Sequence, residues 1–216
     1  MKIILARHGN TFAPNEPATW VGCKNDLPLV NTGIIQAKTL GRALKEAALS
    51  LHAVYCSPLQ RTLNYAEIAL HEMHSPIKPI IDPRLNELDY GAWTGLTNEE
   101  VREKLGAEEI ECWEKYYKWP QHSGWDKTEQ EVRAEAMSFA NDLLQKHHQD
   151  ENILVVSSNG KLRYFLNLVI GEYEKYSQNG LLKVKTGNIC GLTFDGHQWS
   201  TTYWNKLPDP GLFCSD

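Results

Sequence analysis

Short unbroken apolar runs alternate along this chain with longer stretches in which apolar side chains recur every three or four positions. Residues 3–6, Ala53–Cys56 and Asn152–Ser157 are runs of the first kind. Without polar alternation they predict strands covered on both faces, as in a parallel sheet. Ile34, Ala37, Leu40, Leu44 and Ala48 lie at helical spacing and predict a helix over 33–49, with Asn31 or Thr32 placed to cap it. Ser57-Pro58-Leu59-Gln60 reads as another helix start, with Ser57 as cap, Pro58 in the first turn and Gln60 closing a capping box. Thr97 with Glu100, and Thr128 with Glu131, predict two more capping boxes. The second opens a long amphipathic helix carrying Val132, Ala136, Phe139, Leu143 and Leu144 on one face. Residues 161–170 read as a partly buried helix. Residues 77–81, 182–184, Ile189–Phe194 and 199–204 read as further strands. Pro14, Pro17, Gly22 and Pro28 make 11–29 a long loop.

Strands alternating with helices predict a three-layer α/β/α fold on a mostly parallel sheet. A chain of 216 residues fits one domain over 1–216. An aromatic excursion over 103–126, with Trp113, Tyr116, Tyr117, Trp119 and Trp125, reads as a lid-like insertion. Its aromatic side chains are expected mainly to pack, and secondarily to stack on a substrate ring.

Composition narrows the function classes. Hydrophobic residues make up 42% and charged residues 23%, with a net charge of -5. That is an ordinary globular composition with no basic surplus for nucleic acid or an anionic membrane. No apolar run approaches a membrane span, and the N-terminus does not resemble a signal peptide. The five cysteines, Cys23, Cys56, Cys112, Cys190 and Cys214, form no C-x-x-C pair and read as reduced thiols of a cytoplasmic protein. The histidines and acids show no metal-ligand spacing, so no metal or other cofactor is expected. The expected partner is a small molecule, with a second copy of the chain as a candidate for a homodimer.

Candidate chemistry gathers where strands end. Arg7-His8-Gly9-Asn10-Thr11 follows the first strand, at the carboxyl edge where open α/β sheets bind ligands. Arg7 offers a planar fork of donors suited to phosphate, Gly9 allows close backbone approach, and Thr11 adds a hydroxyl. Arg61 follows the second strand, in the helix opened by Ser57. Glu87 sits in a glycine-bent, apolar loop over 85–96. Each alone has an ordinary explanation as a surface residue.

Together, in order, these motifs resemble the histidine phosphatase superfamily, which includes cofactor-dependent phosphoglycerate mutase. The resemblance runs from about residue 2 to 204. It covers R-H-G-x-T from Arg7, D-x-P-L-x-x-x-G-x-x-Q-A from Asp26, S-P-L-x-R-T from Ser57, L-x-E-x-x-Y-G-x-W-x-G from Leu85, and a strand-turn-helix over 155–163. The resemblance implies that His8 is a nucleophile forming a phosphohistidine and that Glu87 is the acid for the leaving alkoxide. It implies phosphate or substrate contacts at Arg7, Asn10, Thr11, Asn15, Gly22 and Arg61. These roles are chemically sound. Neutral imidazole, with a reference pKa of about 6.5, has a lone pair at pH 7. Phosphoryl transfer needs mainly donors and positioning. A bound phosphate anion favours a protonated carboxyl beside it.

Two departures set the expected activity. Where the family has a second histidine, in V-S-H-G-G-x-I-R, this chain reads Val156-Ser157-Ser158-Asn159-Gly160-Lys161-Leu162-Arg163. Ser158 falls at the histidine position, and a one-residue slip gives it to Asn159. Either supplies a neutral hydrogen bond in place of a charged one, a loss of about 1–2 kcal/mol or around tenfold in rate. His122 is the nearest candidate for a substitute cation, though an exposed histidine of the excursion is the plainer reading. In mutases of the family a Lys and an Arg pair hold the substrate carboxylate. Here Asn98 and Glu114-Lys115 stand at those positions, and an acid there repels a carboxylate. The expectation is therefore a metal-independent phosphomonoesterase of the histidine acid type, acting on a small metabolite. The alternatives are a phosphoglycerate mutase and a catalytically silent phosphate-binding or scaffold protein.

Overall fold

A computed structural model describes residues 1–213, so Cys214 lies outside the described residues. Six strands form one sheet in the order β3-β2-β4-β1-β5-β6. They are β1 (Lys2–Arg7), β2 (Ala53–Cys56), β3 (Ile80–Ile81), β4 (Asn152–Ser157), β5 (Ile189–Phe194) and β6 (Trp199–Lys206). The β1, β2, β3 and β4 pairings are parallel; β5 runs antiparallel to both β1 and β6. The sheet is thus parallel apart from the direction of β5.

The uninterrupted apolar runs have the cause the sequence suggested. On β1, Ile3 and Leu5 face one core while Ile4 and Ala6 face the other. On β4, Ile153 and Val155 divide from Leu154 and Val156 in the same way. The second core is closed by α1 (Asn31–Glu46) and α2 (Gln60–Glu72), which supply Ala37, Leu40, Leu44, Tyr65, Ala66 and Ala69. The first is closed by α5 (Glu129–Lys146) through Val132, Ala136, Phe139 and Leu143, together with the aromatic excursion. Three layers result, with helices covering both faces of the sheet. Among the described residues no helix is long and apolar enough to cross a membrane.

Both capping boxes form, at Thr97/Glu100 before α3 (Asn98–Leu105) and at Thr128/Glu131 before α5. Other local expectations are corrected. Helix α1 begins at Asn31 behind Val30, so neither Asn31 nor Thr32 caps it by a side chain. Helix α2 makes no capping box either. Its first amide, from Gln60, donates to Asp26 Oδ1 at 2.8 Å, so the cap comes from the long loop. Ser57 Oγ accepts from Leu59 N at 3.3 Å, ahead of the helix, and pairs with Thr62 Oγ1 at 2.7 Å. The strand expected over 77–81 shrinks to Ile80–Ile81, since Pro79 has no N–H to give a ladder. The helix expected over 161–170 is a short α6 (Asn159–Leu162) followed by a 3₁₀ turn, Arg163–Leu168. Arg163, Tyr164, Phe165 and Leu166 are all buried, leaving no solvent face for an amphipathic α-helix. Residues 182–184 are not a strand. The Val184 amide donates to Asn159 Oδ1 and its carbonyl accepts from Arg7, so side chains take the place of a ladder.

Candidate active site

Strands β1, β2 and β4 end together at Arg7, Cys56 and Ser157. In register, Arg7 faces Ser157 and Cys56 faces Val156. The loop leaving β1 carries His8, whose amide donates to Ser157 O at 3.1 Å. Helix α1 presses closely on that loop: a Cβ on Gly9 would lie 2.5 Å from Gly33 O. Only glycine permits this approach. Asn10 is held by its own amide, which donates to Gln36 Oε1 at 2.8 Å, while Gln36 Nε2 donates to Thr186 O at 3.0 Å. Gln36 lies in the recognised motif over 26–37, but its bracing role was not legible there.

His8 is 6% exposed. Its Nδ1 lies 2.8 Å from Gly9 O, a partner that can only accept, so Nδ1 carries the proton and Nε2 keeps its lone pair. Arg61 Nε–H points to that lone pair at 3.3 Å. Burial, then the charges of Arg61 and Arg7, push the His8 pKa well below its ordinary value, which keeps the ring neutral. Arg61 is itself 2% exposed. Its Nη1 donates to Asn25 O at 2.9 Å and its Nη2 to Gly22 O at 2.8 Å. Gly22 thus holds the arginine through its carbonyl, in a left-handed turn with φ of 63°. Arg7 Nη1 donates to Val184 O at 2.7 Å, and its buried Nε has no hydrogen-bond partner.

Glu87 comes from the loop between β3 and α3. Leu88 N donates to its Oε1 at 2.9 Å, and Gly160 N faces its Oε2 at 3.3 Å. A Cβ on Gly160 would overlap Glu87 Oε1 and lie 2.6 Å from Tyr90 Oη, so this glycine makes room for the carboxylate. Behind Glu87, Lys161 is 2% exposed and pairs with Glu135 Oε2 at 2.6 Å. Burial lowers its pKa and Glu135 opposes the shift. Sequence reasoning assigned no role to Gly160, Lys161 or Glu135, because each acts through a partner distant in the chain.

A cavity of about 410 Å³ joins Arg7, His8, Asn10, Thr11, Gly22, Arg61 and Glu87. Asn15 is exposed and outside its lining, where Pro14 and Glu16 stand instead. A second lobe of about 470 Å³ shares Arg7, Ala18, Thr19 and Glu87 with the first and adds Asn98, Trp113, Glu114, Tyr117, Asn159 and Arg163. Ser158 is fully buried at the end of β4, its Oγ without a hydrogen-bond partner, and it lines neither lobe. Asn159 faces the second lobe while bracing Val184. His122 is exposed and lines neither lobe. The excursion's aromatics pack on one another: Trp125 lies 4.9 Å from Trp113 and 4.8 Å from Trp119, ring centre to ring centre. Among the described residues no group of three His, Cys, Asp or Glu could hold a metal ion.

This arrangement offers a neutral, fixed imidazole, two guanidinium groups and a carboxyl around one polar cup. A family model of the histidine phosphatase superfamily (branch 1) matches residues 3–207. The chain is similar to the 2,3-bisphosphoglycerate-dependent phosphoglycerate mutase of Parvibaculum lavamentivorans, 29% identical over 194 residues with 89% of each chain covered. Among solved structures it resembles the alpha-ribazole phosphatase of Shigella flexneri, at a TM-score of 0.72 and 24% identity, covering 95% of this chain and 96% of that one. The mycobacterial glucosyl-3-phosphoglycerate phosphatase superposes with a TM-score of 0.77 at 18% identity, covering 95% and 98% of the respective chains.

Proposed function

Since the chain belongs to the histidine phosphatase superfamily (branch 1), we propose that it hydrolyses the phosphomonoester of a small metabolite through a phosphohistidine on His8. The observation that carries this reading is the orientation of the His8 ring. Its Nδ1–H is tied to Gly9 O, leaving the Nε2 lone pair toward Arg61 Nε on the wall of the cup, where an incoming phosphoryl group takes the place of that N–H. Nε2 attacks phosphorus and the ester P–O bond breaks on the opposite side. The departing alkoxide takes a proton from Glu87. Water then attacks the phosphohistidine, Glu87 accepts its proton, and phosphate leaves with His8 restored. Arg7 and Arg61 meet the charge on the equatorial oxygens, which is the protein's main task in such a transfer. Ser158, at the family's second histidine position, is buried outside both lobes, and it is Asn159 that faces the second lobe.

The sequence relatives named as mutases make isomerisation the natural rival. Asn98 and Glu114 speak against it: Asn98 Nδ2 donates to Glu114 Oε1 and Arg102 Nη2 to Glu114 Oε2. The place where mutases of the family hold a carboxylate is thus filled by one of the protein's own. Steady-state phosphate release from a panel of phosphorylated metabolites, with His8→Ala as control, tests the reading. Hydrolysis lost in His8→Ala supports the phosphatase, phosphoglycerate isomerisation without hydrolysis supports the mutase, and binding without turnover supports the silent protein.

A further inference from the structure

The second lobe opens beyond Glu87, where the alcohol half of a phosphomonoester seated on His8 would extend. One wall is chemically saturated. Trp20 Nε1 donates to Asn98 Oδ1 at 2.9 Å, Asn98 donates to Glu114, and Arg102 pairs with the other Glu114 oxygen at 2.5 Å. The charge of Glu114 is therefore already met by Arg102.

The opposite wall is different. Arg163 is 3% exposed and lines the lobe. Its guanidinium carbon lies 4.7 Å from the Trp113 ring centre and 5.2 Å from that of Tyr117. Its Nε meets Asn159 O at 3.3 Å, but its Nη1 is buried without a hydrogen-bond partner. Arg7, which also lines this lobe, has a buried Nε that is likewise unpartnered. Exposed Lys183 stands at the rim. Aromatic faces compensate part of a guanidinium's charge, but they give its N–H groups no lone pair. A buried charged donor left unmet is expensive, and a planar fork is best satisfied by a carboxylate or phosphate.

We propose that Arg163 is a specificity-determining residue which, with Arg7 and Lys183, binds a second anionic group on the alcohol half of the substrate. The inference rests on the phosphomonoesterase reading above. It selects esters of alcohols that carry a carboxylate or a further phosphate over esters of neutral alcohols. It also limits the carboxylate repulsion expected at Glu114 to that wall, where Arg102 already meets the charge.

The test compares kcat/KM for butyl phosphate, O-phospho-4-hydroxybutanoate and butanediol bisphosphate. The wild-type protein should prefer at least one of the two anionic esters by about tenfold, the worth of one charge-assisted contact, and which one distinguishes carboxylate from phosphate. Arg163→Met should erase that ratio mainly through KM, and Arg163→Lys should restore only part of it. Arg102→Met leaves Arg163 in place but uncovers the Glu114 charge, so it should lower the same ratio even if Arg163→Met fails to fold. No preference in the wild type, or a preference unchanged in both variants, overturns the proposal while leaving hydrolysis at His8 intact. Absence of hydrolysis for every ester overturns the phosphatase reading instead. Tryptophan fluorescence then decides the subsite, with 4-hydroxybutanoate binding more tightly than butanol only when Arg163 is present; equal binding overturns it.

Discussion

Replacing Gly160 by Ala adds one methyl group at the point where α6 meets Glu87, the proposed general acid. That Cβ would overlap Glu87 Oε1, lie 2.6 Å from Tyr90 Oη and 3.0 Å from Leu88 Cγ. Two effects on stability oppose each other. Ala gains up to about 1 kcal/mol over Gly in a helix, whereas overpacking a buried site loses about 1–3 kcal/mol. Overpacking wins, so the variant should fold with a net loss of about 1–2 kcal/mol. The carboxyl is the movable partner and must shift by roughly 1 Å, a misplacement that can remove about 10²-fold of rate. That lies within the range of about 10²–10⁴ expected for a general acid. The assay is kcat on two esters of different leaving-group quality. Butyl phosphate needs a proton on its departing oxygen and should slow about 100-fold. p-Nitrophenyl phosphate leaves as a stable anion and should slow far less. Equal loss on both esters would mean that the methyl disturbs the phosphate cup itself. An unchanged rate on butyl phosphate would remove Glu87 from the role of acid.

Three further outcomes follow from the same geometry. The folded-state pKa of His8 is depressed by burial and by Arg61 and Arg7, so the unfolded chain takes up this proton first as pH falls. Stability contributed by the neutral ring is then complete above about pH 6.5 and lost as pH drops toward the folded value; denaturant melts should show a shallower acid loss in His8→Asn, and an unchanged slope would contradict the burial argument. Ser158→Ala should leave melting nearly unchanged, because the hydroxyl has no partner in the free protein. Treatment with a chelator should leave hydrolysis unchanged, since the proposed mechanism gives the phosphate charge to Arg7 and Arg61; loss restored by a divalent ion would refute that.

Strands β1, β2 and β4 were legible because burial on both faces writes itself into consecutive apolar residues. The boxes at Thr97 and Thr128 were legible because cap and partner lie within one turn. What the sequence hid is non-local. Asp26 caps α2 from a loop far upstream, displacing the local candidates Ser57 and Gln60. Asn159 and Arg7 together satisfy Val184, turning an apparent strand into a braced loop. The motif order pointed to Arg7, His8, Arg61 and Glu87, which one cavity joins, but loop conformation left Asn15 outside it. Glu114 looked like a free acid until Arg102, a full helix away, was seen to hold it.

Passage of phosphorus through His8 can be tested by trapping. The protein is mixed with a ³²P-labelled phosphomonoester, quenched in alkali within one turnover, digested and mapped. A label should appear on the peptide containing His8 that survives alkali, is released by mild acid as a phosphoramidate should be, and is absent from His8→Ala. A label on another residue, or full hydrolysis by His8→Ala, would contradict it.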